Sequence, residues 1–324
     1  METLKKFEKD NLEKSLKDNY TKLMPTFYEM ESTFLSGVYK RYGDLEGGNI
    51  VIYFARDLHL EILRKRELDL SFDLSLDMFW KNHKNVKQTK KKIILVSKET
   101  GLPKETTRRK IISLIKKKHL KKEEKNRLYW EPASEHKETY LKIIDEQVNS
   151  LSKFILEQAK LFNSAIPLSR IEKEIKKNYS FYWYHYLNVQ LQYIRFWHKK
   201  LNDLEMLLIG LQSIIQTLNY FKKSENINSA QNVFSKNIDT KNANISATSV
   251  SEVTGIPRAT CIRKLETLVK MGMLVKETKT KRYYVNQQTS NRTKKIITKE
   301  NVDFTINNFS EYLTIVLNAV KQKK

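Results

Sequence analysis

Two short clusters carry residue types suited to recognition by hydrogen bonding. Lys104, Glu105, Thr106, Arg108 and Arg109 fall within one run, and Arg258, Ala259, Thr260, Ile262 and Arg263 fall within another. Arginine presents two parallel N–H groups that match the O6 and N7 acceptors of guanine. Threonine reaches a phosphate oxygen or a thymine methyl, and glutamate accepts from cytosine. Arg109/Arg263 and Thr106/Thr260 recur at the same spacing and are the strongest candidates for reading bases. Downstream of each cluster lie further cations: Lys121, Lys122, Lys125 and Arg127, then Lys276, Lys279, Lys281 and Arg282. These suit phosphate or a minor groove.

Bond-making chemistry finds little footing. The histidines His59, His83, His119, His136, His185 and His198 form no H-x3-H pair, and the single cysteine, Cys261, offers no partner thiol for zinc. The chain contains no glycine-rich phosphate loop and no nucleophile elbow. Asp69, Asp73 and Asp77 stand four apart, but a solvated acidic face is the expectation there, because an oxygen-only cation site needs a turning loop. The sequence therefore predicts no enzyme, no cofactor and no metal site.

The elements that must position the clusters are short. Val250–Tyr284 reads as a helix, a turn at Thr254-Gly255-Ile256-Pro257, a second helix, and a β-hairpin around a basic tip. Glycine supplies the left-handed backbone that ends the first helix, and proline opens the second. Cys261, Leu265 and Leu268 share one face of that second helix, which leaves Arg258, Thr260, Ile262, Arg263 and Glu266 on the other. The stretch occurs twice. Val96–Trp130 aligns with it without gaps at an offset of 154, with 15 identities in 35 positions, among them Gly101/Gly255, Pro103/Pro257, Lys110/Lys264 and Tyr129/Tyr283. An internal duplication is the economical explanation. Lys118 replaces Gly272, so the first copy's helix is expected to stop less cleanly.

With these motifs in view, Val250–Tyr284 resembles the winged helix-turn-helix of bacterial transcription regulators. The run Thr254-Gly-Ile-Pro-Arg-Ala-Thr-Cys-Ile-Arg-Lys-Leu looks most like the IclR-type version, and the Gly-Met-Leu-Val turn into the wing is similar to the MarR-like group. The resemblance covers about 50 residues per copy. It implies a second helix that enters a major groove while the hairpin cations meet phosphate.

Charge placement points the same way. Of the net +23, Lys81–Leu128 carries +14 and Ser235–Val285 carries +6. An excess concentrated on the two copies fits a polyanionic partner. Glycine (8) and proline (5) are scarce, so the chain should be mainly helical. The N-terminus lacks an apolar signal core, and the runs without charged residues, Asn178–Ile194 and Met206–Phe221, are short for a membrane span. The expectation is a cytoplasmic, nucleoid-associated protein with no membrane contact.

In chain order, Glu2–Met24 is expected to be an amphipathic helix ended by Pro25. Phe27–Lys65 reads as one long helix, or two broken at Gly47-Gly48. Met78-Phe79-Trp80 reads as core, and Glu138–Phe162 as a helix after the first wing. Tyr179–Phe221 is helical and opens on an aromatic run best read as core. Within it Asp203-Leu204-Glu205 echoes Asp44-Leu45-Glu46. Lys222–Ser246 reads as a polar linker, Asn286–Glu300 as a polar tail of the wing, and Phe304–Lys321 as a closing helix.

The expected fold is mainly α: two tandem winged helix-turn-helix domains with long flanking helices and small hairpin wings. The first repeat spans residues 1–162 with its winged helix at about 85–132, and the second spans 163–324 with its winged helix at about 245–287. The expected function is a transcription regulator that reads double-stranded DNA through both copies. The alternative is a plasmid- or phage-type replication initiator on origin repeats, a group also built from paired winged helices. RNA polymerase or replication proteins are the corresponding partners. Oligomeric state is left open by the sequence.

Overall fold

The computed structural model describes residues 6–124, 127–223, 227–235, 239–287 and 297–322. It is mainly helical, with two small antiparallel hairpins. Helices α1 (Lys9–Asp18), α2 (Tyr20–Tyr42), α3 (Leu45–Leu68) and α4 (Leu76–Asn82) lead to α5 (Ile93–Thr100), α6 (Lys104–Lys116) and the strands β1 (Leu120–Glu123) and β2 (Arg127–Trp130). Helices α7 (Lys137–Leu161), α8 (Leu168–Lys177), α9 (Tyr179–Leu201) and α10 (Leu204–Phe221) follow. A short α11 (Ala230–Ser235) precedes α12 (Ala247–Thr254), α13 (Arg258–Lys270), β3 (Leu274–Lys276), β4 (Tyr283–Val285) and α14 (Lys299–Gln322).

The chain divides into two compact units. The α3 unit comprises Gly37–Asn149 and Pro167–Asn202, and the α10 unit comprises Met1–Ser36, Ser150–Ile166 and Asp203–Lys324. Each unit draws segments from both sides of residue 162, so compactness follows packing and not the repeat boundary. Inside the α3 unit, α9 runs along α3, and α3 underlies α5, α6 and β2. Inside the α10 unit, α10 underlies α12, α13 and β4, while α1 lies against α14.

Several element boundaries differ from the sequence reading. Pro25 does not end a helix; it lies inside α2, and the break comes at Asn19. Gly47-Gly48 does not break the next helix either. The break is at Gly43, whose φ of +79° is left-handed, followed by Asp44, which caps α3 by accepting from the Gly47 N–H at 2.6 Å. Gly48 instead permits close approach of α2, since a Cβ there would lie 2.0 Å from Val38 Cγ1. The polar stretch after α10 contains α11, because Ala230 and Val233 are buried. Residues 288–296 of the expected wing tail lie outside the described residues.

The acidic segment after α3 is not helical. Asp69 accepts from the Ser71 N–H at 2.9 Å and from Ser71 Oγ at 2.6 Å, and Asp73 accepts from the Ser75 N–H at 2.6 Å. Both carboxylates organise turns through local hydrogen bonds, which compete with helix. The aromatic run on α9 is core: Tyr179, Tyr182, Trp183, Tyr186, Tyr193 and Trp197 are all buried. Phe79 and Trp80 are buried as well, with Tyr140 stacked on Phe79 at 5.7 Å. Among the described residues, no helix is long and apolar enough to cross a membrane.

Candidate nucleic-acid interface

The residues shared by the two copies fall into two groups. The first group builds the turn between the short helices. Gly101 (φ +73°) and Gly255 (φ +74°) supply left-handed backbone at the ends of α5 and α12. Ser97 Oγ donates to the Leu102 carbonyl at 2.7 Å, and Ser251 Oγ donates to the Ile256 carbonyl at 2.7 Å. Thr100 and Thr254 each return a hydroxyl to the carbonyl four residues back, Val96 and Val250, at 2.7 Å. Pro103 and Pro257 cap α6 and α13. The inward stripe is Thr107, Ile111 and Leu114 in one copy and Cys261, Leu265 and Leu268 in the other, all buried. Burial pushes the Cys261 thiol up, away from the reactive thiolate.

A second repeated device fixes how each of these helices sits on its support. Lys110 Nζ bonds Asp44 at 2.8 Å and Glu46 at 3.2 Å. Its equivalent Lys264 bonds Asp203 and lies 3.5 Å from Glu205. The Asp-Leu-Glu echo and the repeated lysine are therefore one clamp, used once in each unit. Burial alone would lower the Lys110 pKa; the hydrogen bond to Asp44 and the charges of Asp44 and Glu46 outweigh it and hold it above the ordinary lysine value. Asp203 also caps α10 by accepting from the Met206 N–H at 3.0 Å.

The hairpins obey the same plan with one difference in length. Leu120 pairs with Trp130 in the first and Leu274 with Val285 in the second. An extra bridge joins Lys91 to Leu128 and Ile245 to Tyr283. The second strand of the repeat thus follows an offset of 155, not 154, and the second loop is one residue longer. The ungapped pairing of Tyr129 with Tyr283 is corrected accordingly: Tyr129 corresponds to Tyr284, Leu128 to Tyr283, and Arg127 to Arg282. Lys118 adopts φ +57° where Gly272 has φ +76°. His119 N–H reaches the Leu114 carbonyl at 2.8 Å and Met273 N–H reaches the Leu268 carbonyl at 3.0 Å. Both helices therefore stop at the same position, and the expected looser stop in the first copy does not occur.

The candidate side chains lie on the outer face left by this packing. Lys104, Glu105, Arg108 and Arg109 on α6, and Arg258 and Arg263 on α13, are exposed. Thr106, Thr260 and Ile262 are half-buried. Some have partners within the protein. Arg108 pairs with Glu105 at 2.7 Å, Arg258 donates to Thr248 Oγ1 at 3.0 Å, and Arg282 donates to Asn244 Oδ1 at 3.1 Å. Lys121 pairs with Glu131, and Lys276 pairs with Glu266 at 2.5 Å. Among the described residues, the side chains of Lys104, Thr106, Arg109, Lys122, Arg127, Thr260, Arg263, Lys279 and Lys281 make no hydrogen bond or ion pair. Lys125 lies outside the described residues.

No family model matches the chain, and no curated protein and no solved structure matches it.

Two candidates were missed by inspection of the sequence. Lys116 and Lys270 are identical in the two copies, exposed, and without an ion pair among the described residues. They stand seven residues beyond Arg109 and Arg263, on the same helix face. The signal was present in the repeat alignment, but cations in a last helical turn also complement the helix dipole, which masks a second use.

Proposed function

We propose that the chain binds double-stranded DNA through two winged helix-turn-helix units, one per compact unit, and acts as a transcription regulator. On this reading it is a binding protein and not an enzyme. The observation that carries it is a division of labour among repeated residues. Ser97/Ser251, Thr100/Thr254, Gly101/Gly255, Pro103/Pro257 and Lys110/Lys264 all serve the fold. Arg109/Arg263 and Thr106/Thr260 recur equally; the arginines are exposed and the threonines half-buried on α6 and α13, and among the described residues none of these side chains makes a hydrogen bond or ion pair. A duplicated side chain with no internal role is best explained by an external ligand. A guanidinium and a hydroxyl on a helix face flanked by cationic hairpins suit base edges and phosphates.

Gel-shift titration of duplex DNA over a salt series tests this reading. Binding should weaken steeply as salt rises, because phosphate contacts release counterions. Absence of any shift at low salt would end the proposal. Selection from a random duplex pool then reports the architecture of the site: a palindrome supports regulation at a promoter, whereas direct repeats support replication initiation.

A further inference from the structure

The two copies differ in one surface. In the first, a groove of about 490 Å³ opens between α6, the start of α5 and the hairpin, lined by Lys92, Ile93, Arg108, Ile112, Ile115 and Lys122 among others. Ile112 is 53% exposed in it. In the second copy Glu266 stands at the Ile112 position and accepts from Lys276 Nζ at 2.5 Å and from Tyr283 Oη at 2.8 Å. A polar network thus fills there what is apolar and open in the first copy.

The same unit carries a surface of matching chemistry. The end of α3 and the loop after it expose Leu68 (90%) and Leu70 (77%), which are the most exposed large apolar side chains among the described residues. Glu67, Asp69 and Asp73 flank them. The loop is pre-organised: Ser71 bonds Asp69 twice, and Arg66 Nη1 donates to the Phe72 carbonyl at 2.8 Å. A fixed loop loses little entropy on docking. Its leucines suit the isoleucine floor of the groove. Its carboxylates suit the rim, where Lys92 and Lys122 have no ion pair among the described residues.

We propose that the Glu67–Asp73 segment of one molecule, the end of α3 and the loop that follows, docks in the Ile112 groove of a second copy of this chain. Loop and groove are different patches, so the contact is heterologous: an open chain of docked molecules keeps one free loop at one end and one free groove at the other. One loop covers far less than the roughly 1,200 Å² of a stable interface, so the association is weak and depends on concentration. This inference concerns a surface beyond the DNA reading and does not rest on it.

Sedimentation velocity of the full chain, without nucleic acid, tests it. The weight-average mass should rise with protein concentration at low salt. The double variant Leu68→Ser/Leu70→Ser and the variant Ile112→Asp should each stay monomeric. An equimolar mixture of the two should form a one-to-one dimer and nothing larger, because only one intact loop meets one intact groove. Lys122→Glu, on an exposed strand, repeats the test without altering α6 and should lower the association constant about tenfold. A synthetic peptide of residues 65–76 should bind the wild type and the loop variant, but not Ile112→Asp. A wild type that remains monomeric at every concentration overturns the proposal. So does a mixture that fails to dimerise, or a peptide that binds Ile112→Asp as tightly as the wild type. An unrelated acidic peptide binding as tightly as the 65–76 peptide would assign the groove to a different partner. All of these readouts are independent of DNA, so a failed gel shift leaves them unchanged.

Discussion

Lys118 holds a left-handed backbone that favours glycine, at the position where the second copy has Gly272. A side chain there costs about 1 kcal/mol relative to glycine. Lys118→Gly should therefore raise the unfolding free energy by about that amount, measured by urea denaturation. Its ion pair with Glu135 is exposed on both sides and contributes little. At the same scale, the proposed DNA-binding function requires that Arg109→Ala and Arg263→Ala each weaken a preferred duplex site by about 1–3 kcal/mol while sparing binding to random sequence. Equal losses on all sequences would make these arginines phosphate contacts instead. Arg108→Ala is a useful contrast. Glu105 already holds that guanidinium, so part of its loss reflects release of the glutamate.

Among elements, the clamp decides how α6 and α13 are presented. Lys264→Met strands Asp203 and Glu205 beside an apolar side chain, and should destabilise the α10 unit by about 1–2 kcal/mol. The double variant Lys264→Met/Asp203→Asn should cost less than the two single changes added together, since either change alone already breaks the pair. Strict additivity in that cycle would show that the clamp does not couple the two helices. The clamp's parts were visible in the sequence as two separate echoes, but their meeting was not. Lys110 is 66 residues from Asp44, and Lys264 is 61 from Asp203. Nothing in local spacing links them. The element breaks differ from local expectation for a related reason. Gly47-Gly48 looks like a helix stop, yet Gly48 packs closely against Val38 of a neighbouring helix, and Gly47 lies beside the Asp44 carboxylate that caps α3. By contrast, the Gly and Pro of the two short-helix turns act on their own backbone, and the turns form where those residues stand.

For the molecule as a whole, acid should destabilise the α3 unit through a buried histidine. His59 stacks on Phe79 at 4.9 Å and meets the Tyr179 ring edge-on at 5.2 Å, and burial lowers its pKa to about 3. The unfolded chain takes up that proton first. Stability from this site is therefore complete above about pH 6.5 and falls as pH drops towards 3. The loss between pH 8 and pH 5 is roughly 2 kcal/mol. His59→Phe keeps the ring stacking and should flatten that part of the profile, measured as urea midpoint against pH. An unchanged slope would place the acid sensitivity elsewhere; His119, lowered to about 4 by burial and the neighbouring His136, is the next group to test.

The sequence by itself determined the helical character of the chain, the duplication, the turns within each copy and the inward stripe of α13. Each of these depends on residues a few positions apart, acting through backbone conformation and helical period. Tertiary structure alone decided which repeated lysine is a clamp and which cations stay free. It also decided that Tyr129 matches Tyr284, and that the compact units draw on both halves of the chain. Those outcomes depend on contacts between residues distant in the chain, where packing and charge pairing select among arrangements that local propensity leaves equal.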